Sequence, residues 1–177
     1  MLEGEERVRF EATVLPHLDA AFNLARWLLR SPVDAQDVTQ DAILRAFRFF
    51  PNYRAGNARA WLLQIVRNCC YTWLQKKEPY EDLNELEETE LPAEKSTPES
   101  LAIASSDRQR LAAALEQLPA PFREILVLRE LEGCSYKEIA AITGRPIGTV
   151  MSALARARQQ LRNSLGPPSE VEARREL

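Results

Sequence analysis

Histidine occurs once in these 177 residues and cysteine three times, so side chains that commonly ligate metals or act as nucleophiles are nearly missing. His17 follows Pro16 on an expected helix and has no carboxylate at triad-like or metal-like spacing. Cys69 and Cys70 are adjacent and Cys134 is distant, which frames neither a disulfide scaffold nor a tetrahedral metal site and suits a reducing compartment. No uninterrupted apolar run reaches about eighteen residues, the length that reads as a membrane span. The N-terminus opens on Glu3, Glu5 and Glu6 instead of a basic and then an apolar segment, so no secretory signal is expected, and a cytoplasmic location is. No catalysis, cofactor or metal is expected of this chain alone.

Net positive charge is also lacking. The chain holds 23 Lys/Arg against 26 Asp/Glu, a net of −3, which taken whole argues against a nucleic-acid binder. The average hides segregation. Residues 1–78 carry 11 basic and 9 acidic side chains, and residues 106–177 carry 11 and 9 again. Residues 79–105 carry Lys95 against eight acids, with Pro79, Pro92 and Pro98 and few apolar residues, the composition of a solvated linker. Two small domains are expected, 1–78 and 106–166, joined by a flexible acidic linker at 79–105 and followed by a disordered tail at 167–177. From Arg54 to Lys77 there are five basic residues and no acid; from Gly144 to Gly166 there are four and no acid. Between Val33 and Asp41 the reverse holds, with Asp34, Asp37 and Asp41 and no base. Such segregation suits different partners for different faces, although each tract also fits a solvated helix face.

Helical spacing dominates and no strand is evident, so the fold class is all-α. A first stretch runs over about 5–29, with Phe10, Val14, Leu18, Phe22, Ala25 and Leu29 as its apolar stripe and a restart at Pro16. Ser31-Pro32-Val33-Asp34 reads as an N-cap, a proline at the first helical position and an acid at the third. That helix stops at Pro51, and a loop follows to Asn57, which caps a third helix to Lys77, apolar at Leu62, Ile65, Cys69 and Trp73. Four helices are expected in the second domain: Asp107–Leu118, Pro121–Glu132, a short one opened by the capping box Ser135-Tyr136-Lys137-Glu138 and closed at Thr143-Gly144, and a last one capped by Thr149 and ending near Leu165.

A short helix, a tight glycine-containing turn and a second helix outline a helix-turn-helix. On the last helix, Val150, Leu154, Ala157, Leu161 and Leu165 share one sector, at about 100° per residue. Thr149, Ser152, Ala153, Arg156, Gln160 and Asn163 fall opposite. A buried stripe backed by small, polar and basic side chains suits entry into a major groove, where acids would meet phosphates. Arg158 and Arg162 at the flanks, and Arg145 in the turn, suit phosphate contact.

Over nearly its whole length the chain resembles the bacterial sigma factors of RNA polymerase. Asp34-Ala-Gln-Asp-Val-Thr-Gln-Asp-Ala-Ile-Leu-Arg-Ala-Phe47 resembles their polymerase-binding helix, and Trp61-Leu-Leu-Gln-Ile-Val-Arg-Asn68 the helix that reads the melted minus-ten element. Leu118-Pro119 through Arg129, Tyr136-Lys-Glu-Ile-Ala140, Gly148-Thr-Val150 and Arg156-Ala-Arg158 resemble the minus-thirty-five reader. Two domains and a short linker resemble the compact extracytoplasmic-function group.

The resemblance implies that Asp37, Gln40, Asp41 and Arg45 dock on core polymerase. It implies that the loop at 51–57 captures a base flipped from the non-template strand, with Tyr53, Arg54, Asn57, Arg59, Trp61, Arg67 and Asn68 as its stacking, hydrogen-bonding and cationic groups. Asn68 is the first choice for direct base reading, because an amide both donates and accepts. Trp61 also fits a plain core role. Promoter DNA, core polymerase and an anti-sigma factor, often membrane-anchored, are the implied partners, with no small-molecule substrate and no insertion into the membrane. Met151, Ala153 and Ala155 depart from the family, which commonly has arginine or larger residues there. Minus-thirty-five readout then rests more on Ser152, Arg156 and Gln160, and partly on DNA shape.

Two other readings stay open. A sigma mimic that sequesters an anti-sigma factor needs the docking surfaces but not the acid-free tracts. An ordinary helix-turn-helix regulator leaves the first domain and its acidic helix without a role.

Overall fold

The computed structural model describes residues 3–77 and 107–166. The expected linker at 79–105 and tail at 167–177 lie outside the described residues. Every regular element among the described residues is helical: α1 (Gly4–Val14), α2 (Leu18–Leu29), α3 (Pro32–Phe49), α4 (Ala58–Lys77), α5 (Asp107–Gln117), α6 (Ala120–Leu126), α7 (Tyr136–Thr143) and α8 (Ile147–Leu165).

Pro16 lies in a single 3₁₀ turn, Leu15–His17, between α1 and α2. Such a turn advances about 120° per residue instead of about 100°, which rotates α2 against the phase of α1. The expected stripe therefore holds for Phe10, Val14, Ala25 and Leu29, but Phe22 is exposed and Leu18 half-buried, while α2 buries Ala21, Leu24 and Leu28. After α2 the chain reverses through Arg30, held in the left-handed region at φ 60°. Its guanidinium reaches the Leu118 carbonyl at 3.4 Å.

Three of the N-caps read from the sequence are present. The Ser31 hydroxyl accepts the Asp34 N–H at 3.2 Å, and the Asn57 side-chain oxygen accepts the Ala60 N–H at 3.0 Å. Ser135 and Glu138 form both halves of a capping box. Each such cap is worth about 1 kcal/mol. Gly144, at φ 69°, closes α7 in the left-handed conformation that the tight turn into α8 demands. The cap expected at Thr149 is corrected: α8 begins at Ile147 behind Pro146, and Thr149 sits in its first turn. The helix expected over 121–132 is also shorter in its α-helical part. After Leu126 it widens into a π-helical turn, Val127–Leu131, in which the Glu132 N–H donates to the Val127 carbonyl at 3.0 Å.

One continuous set of buried side chains runs through both halves of the chain. Helix α4 lies at its centre, packed on α2 and α3 on one side and on α7 on the other. That double coverage explains why Leu63, Val66, Cys70 and Tyr71 are buried in addition to Leu62 and Cys69. The two halves expected to behave as separate units thus share an interface, and much of it is polar. Arg123 on α6, only 2% exposed, donates to the Trp27 carbonyl at 2.5 Å and to Leu28 at 3.0 Å, both at the end of α2. The same guanidinium reaches the Leu118 carbonyl at 2.6 Å and Glu116 at 3.3 Å, beyond and within α5.

Candidate nucleic-acid interface

Helix α3 turns Asp37, Gln40, Asp41 and Arg45 outward, as expected of a docking face. Its apolar centre was missing from the sequence reading: Leu44 is 61% exposed and lies between Gln40, Asp41 and Arg48 on the helical wheel. A solvent-facing leucine ringed by polar residues was the available signal.

The residues proposed for the flipped base divide into three groups. Tyr53 and Trp61 are half-buried, with ring centroids 4.7 Å apart, and both pack beside the buried Phe50. Trp61 is therefore a wall of the core that keeps part of its surface in solvent. The Tyr53 hydroxyl donates to the Gly56 carbonyl at 3.1 Å and closes the loop. Arg54 and Asn68 are exposed.

The third group, Asn57, Arg59 and Arg67, faces the second half of the chain. Asn57 Nδ2 donates to Glu138 Oε2 at 2.9 Å, and Arg59 donates to the same oxygen at 3.0 Å. Arg59 also reaches the Glu132 carbonyl at 2.9 Å, while Asn23 holds the Glu132 carboxylate at 2.6 Å. Glu132 caps the π-helical turn, so the latch sits where the widened segment ends. Arg67 pairs with Glu124, a fully buried carboxylate that also accepts the Tyr71 hydroxyl at 2.9 Å. An open cleft of about 710 Å³ lies at this seam, lined by His17, Asp19, Gly56–Arg59, Glu132 and Glu138.

Carboxylates from the second half thus take donors that suit a nucleic-acid backbone. The Glu138 carboxyl is held down to about 2, first because its carboxylate accepts the Ser135 backbone N–H and then because Arg59 and Asn57 donate to it. A depressed folded-state value stabilises the fold above the ordinary carboxyl value of 4.5 and loses that contribution as pH falls towards 2. The Glu138→Gln variant is therefore expected to be less stable than the native chain at neutral pH. The gap in urea midpoint should close as pH drops through this window, and a gap independent of pH counts against the latch.

On α8 the buried residues are Val150, Ala153, Leu154 and Ala157. Two residues expected on the outward face are placed differently. Ala153 is buried, and Gln160 is half-buried, with its Oε1 enclosed and lacking a hydrogen-bond partner among the described residues. Packing by α5, α6 and α7 covers one flank of α8 more than the other, which a symmetric wheel does not reveal. The outward sector holds Met151, Ser152, Ala155, Arg156, Gln159, Arg162 and Asn163. Gln159, absent from the expected set, sits near its centre, donates to Asn163 at 3.0 Å and accepts from Arg162 at 2.9 Å. The Ser152 hydroxyl turns back to the Thr149 carbonyl at 3.1 Å. Arg158 pairs with Glu130 at 2.6 Å on the surface, a contact worth at most about 1 kcal/mol that a phosphate can displace. Arg145 and Thr149 are half-buried at the turn.

The three thiols are buried, and burial raises the pKa of each, that of Cys134 to about 11. Protonated, enclosed thiols are poor nucleophiles. Among the described residues no helix is long and apolar enough to cross a membrane.

Residues 13–79 match the family model for Sigma-70 region 2, and residues 108–161 match that for Sigma-70, region 4. The ECF RNA polymerase sigma-E factor of Escherichia coli K12 is 35% identical over 143 residues, covering 76% of this chain and 75% of that protein. The chain belongs to the extracytoplasmic-function sigma factors. This is a family of promoter-recognising transcription initiation factors, not enzymes. The ECF sigma factor SigE of Mycolicibacterium smegmatis is 37% identical over 166 residues, 93% of this chain but 64% of its own length. Among solved structures, the Bartonella quintana sigma factor RpoE, in complex with the anti-sigma factor NepR, superposes with a TM-score of 0.68 at 28% identity, over 89% of this chain and 96% of that one. CnrH in complex with the cytosolic domain of CnrY gives 0.61 at 25% identity, over 88% and 86%.

Proposed function

We propose that this chain carries core RNA polymerase to promoters, with a division of labour that follows the boundaries 1–78 and 106–166. The exposed face of α3, with Asp37, Gln40, Asp41, Arg45 and Leu44, docks on the polymerase. The loop before α4, with Tyr53, Arg54, Asn57, Arg59 and Trp61, receives a base flipped from the minus-ten element, with Arg67 and Asn68 further along α4. Helix α8 enters the minus-thirty-five major groove with Ser152, Arg156 and Gln159 foremost, while Arg145, Thr149, Arg158, Gln160 and Arg162 serve at its edges.

The observation that carries this reading is the pairing, on one chain, of an exposed acidic docking face on α3 with an acid-free outward face on α8. A mimic that only titrates an anti-sigma factor has no use for the second. This arrangement of the two halves is closed, because Asn57, Arg59 and Arg67 are engaged by Glu138, Glu132 and Glu124. Promoter opening then requires the halves to part, and an anti-sigma partner, soluble or membrane-tethered, acts by holding them in an arrangement that cannot reach DNA.

Run-off transcription with core polymerase and a genomic promoter pool tests the reading. Initiation at discrete sites is the expected result; a folded chain that binds polymerase and starts no transcript points to the mimic. Replacing Arg156 with alanine is expected to cost about 1–3 kcal/mol in promoter binding, the worth of one bidentate base contact, with polymerase affinity unchanged. Both affinities are compared at one salt concentration, since phosphate contacts make them salt-dependent. Equal loss of polymerase and promoter binding overturns the assignment of Arg156.

A further inference from the structure

We propose that α8 reads a thymine of the promoter through its C5-methyl group, with Met151 as the specificity-determining side chain. This rests on the DNA-reading role proposed for α8 and adds the base chemistry that the helix selects.

Met151 is 51% exposed, and Ile147 and Ala155, one turn before and one turn after it, are exposed as well. Residues four apart lie on one side of a helix, so the three form an apolar row about 12 Å long. The row runs along one edge of the sector that neighbouring helices leave open, with Ser152 inside that sector and Arg156 at its other edge. An apolar row on a surface helix commonly marks a protein partner. Here the charge argues for a polyanion: residues 144–166 contain four arginines and no acid, with Arg162 exposed in line with the row and Arg156 exposed at the other edge of the outward sector.

In the major groove a methyl group is the feature by which thymine differs from the other bases, and an apolar side chain is what recognises it. Methionine suits that contact, since its unbranched, polarisable chain adapts to the groove floor. The small Ala155 leaves room for the backbone to approach. Met151 and Arg156 stand about 7.5 Å apart along the helix axis and about 140° apart around it, so they reach bases at opposite edges of the helix footprint. A thymine on the other side of the footprint from the base taken by Arg156 is the expected signature.

The experiment uses the reconstituted holoenzyme. Upstream elements are selected from a randomised promoter pool, and each thymine of the winning element is replaced singly by deoxyuridine, which removes the methyl and keeps every hydrogen-bonding group. One replacement is expected to weaken binding about fourfold, the worth of one buried methyl. In the Met151→Ala holoenzyme that same replacement should change binding by less than about 1.5-fold. The Met151→Lys holoenzyme should bind duplex well but lose its preference for the thymine. Because Met151 is exposed, neither substitution threatens the fold. Equal binding of thymine and deoxyuridine at every position overturns the proposal, and so does a methyl effect that persists undiminished without Met151. If Met151→Ala instead weakens polymerase or protein-partner binding and leaves DNA selection intact, the row belongs to a protein interface and the proposal fails. A holoenzyme that enriches no sequence at all overturns the sigma reading itself, a result distinct from enrichment without methyl dependence.

Discussion

Replacing Arg123 with methionine is expected to lower the unfolding free energy by about 3–5 kcal/mol and to let the two halves separate. The guanidinium is almost fully buried, yet among the described residues its hydrogen bonds go to four backbone carbonyls and to no carboxylate: Trp27 and Leu28 on α2, and Glu116 and Leu118 around the end of α5. Both sets lie at helix C-termini, where the helix dipole is negative, so the cation sits between two poles that favour it. Burial still lowers its pKa, to about 10, which reflects how much hydration the site removes. Methionine matches the stem of the side chain but removes the donor from all four acceptors, of which Leu118 keeps only the long contact from Arg30; each lost bond is worth about 1 kcal/mol or more when buried. Lysine keeps the charge but cannot fork towards four oxygens, so Arg123→Lys should recover only part of the loss. Urea denaturation gives the stability, and small-angle scattering gives the separation of the halves. An unchanged midpoint and an unchanged radius of gyration together contradict the assigned role.

The second large effect is expected at the Arg67–Glu124 pair. Glu124 is completely enclosed on α6, and burial pushes its carboxyl up while Arg67 and the Tyr71 hydroxyl pull it down. Arg67→Ala removes the cation and leaves a buried carboxylate held by Tyr71, at a cost of about 3–5 kcal/mol at neutral pH. A carboxyl whose folded-state value is raised gives stability that is present below the ordinary value of 4.5 and lost as pH rises. Removing Arg67 raises that value further, so the penalty should be largest at neutral pH and shrink as the solution is acidified. Adding Glu124→Met to Arg67→Ala should restore most of the loss, because the pair is then replaced by apolar volume and no charge is stranded. Additive losses in the double variant, or a single-variant penalty that ignores pH, mean that the pair does not hold the seam. Arg67 is also a minus-ten residue in the proposed reading, and on that reading the pair couples closure of the chain to DNA binding.

Much of the local structure was legible in the sequence. Pro16 and Pro51, the caps at Ser31, Asn57 and Ser135, and Gly144 mark element ends through interactions that span four residues or fewer. The acid-free tract on α8 and the acidic tract on α3 were legible for the same reason, since periodicity alone assigns residues to a face. Errors arose where a neighbour decided. The 3₁₀ turn at Pro16 rotated the buried face of α2, the π-helical turn shortened α6, and uneven packing around α8 buried Ala153 and promoted Gln159 over Gln160.

By itself, then, the sequence determined which helices form, where they stop, how charge is distributed among them and which family the pattern resembles. Only the tertiary structure decided that Glu138, Glu132 and Glu124 meet Asn57, Arg59 and Arg67, and that Arg123 binds across the seam. These partners lie more than fifty positions apart. No local spacing encodes such a meeting. It follows from how the helix faces pack, and packing brings buried charges together only where the fold can satisfy both.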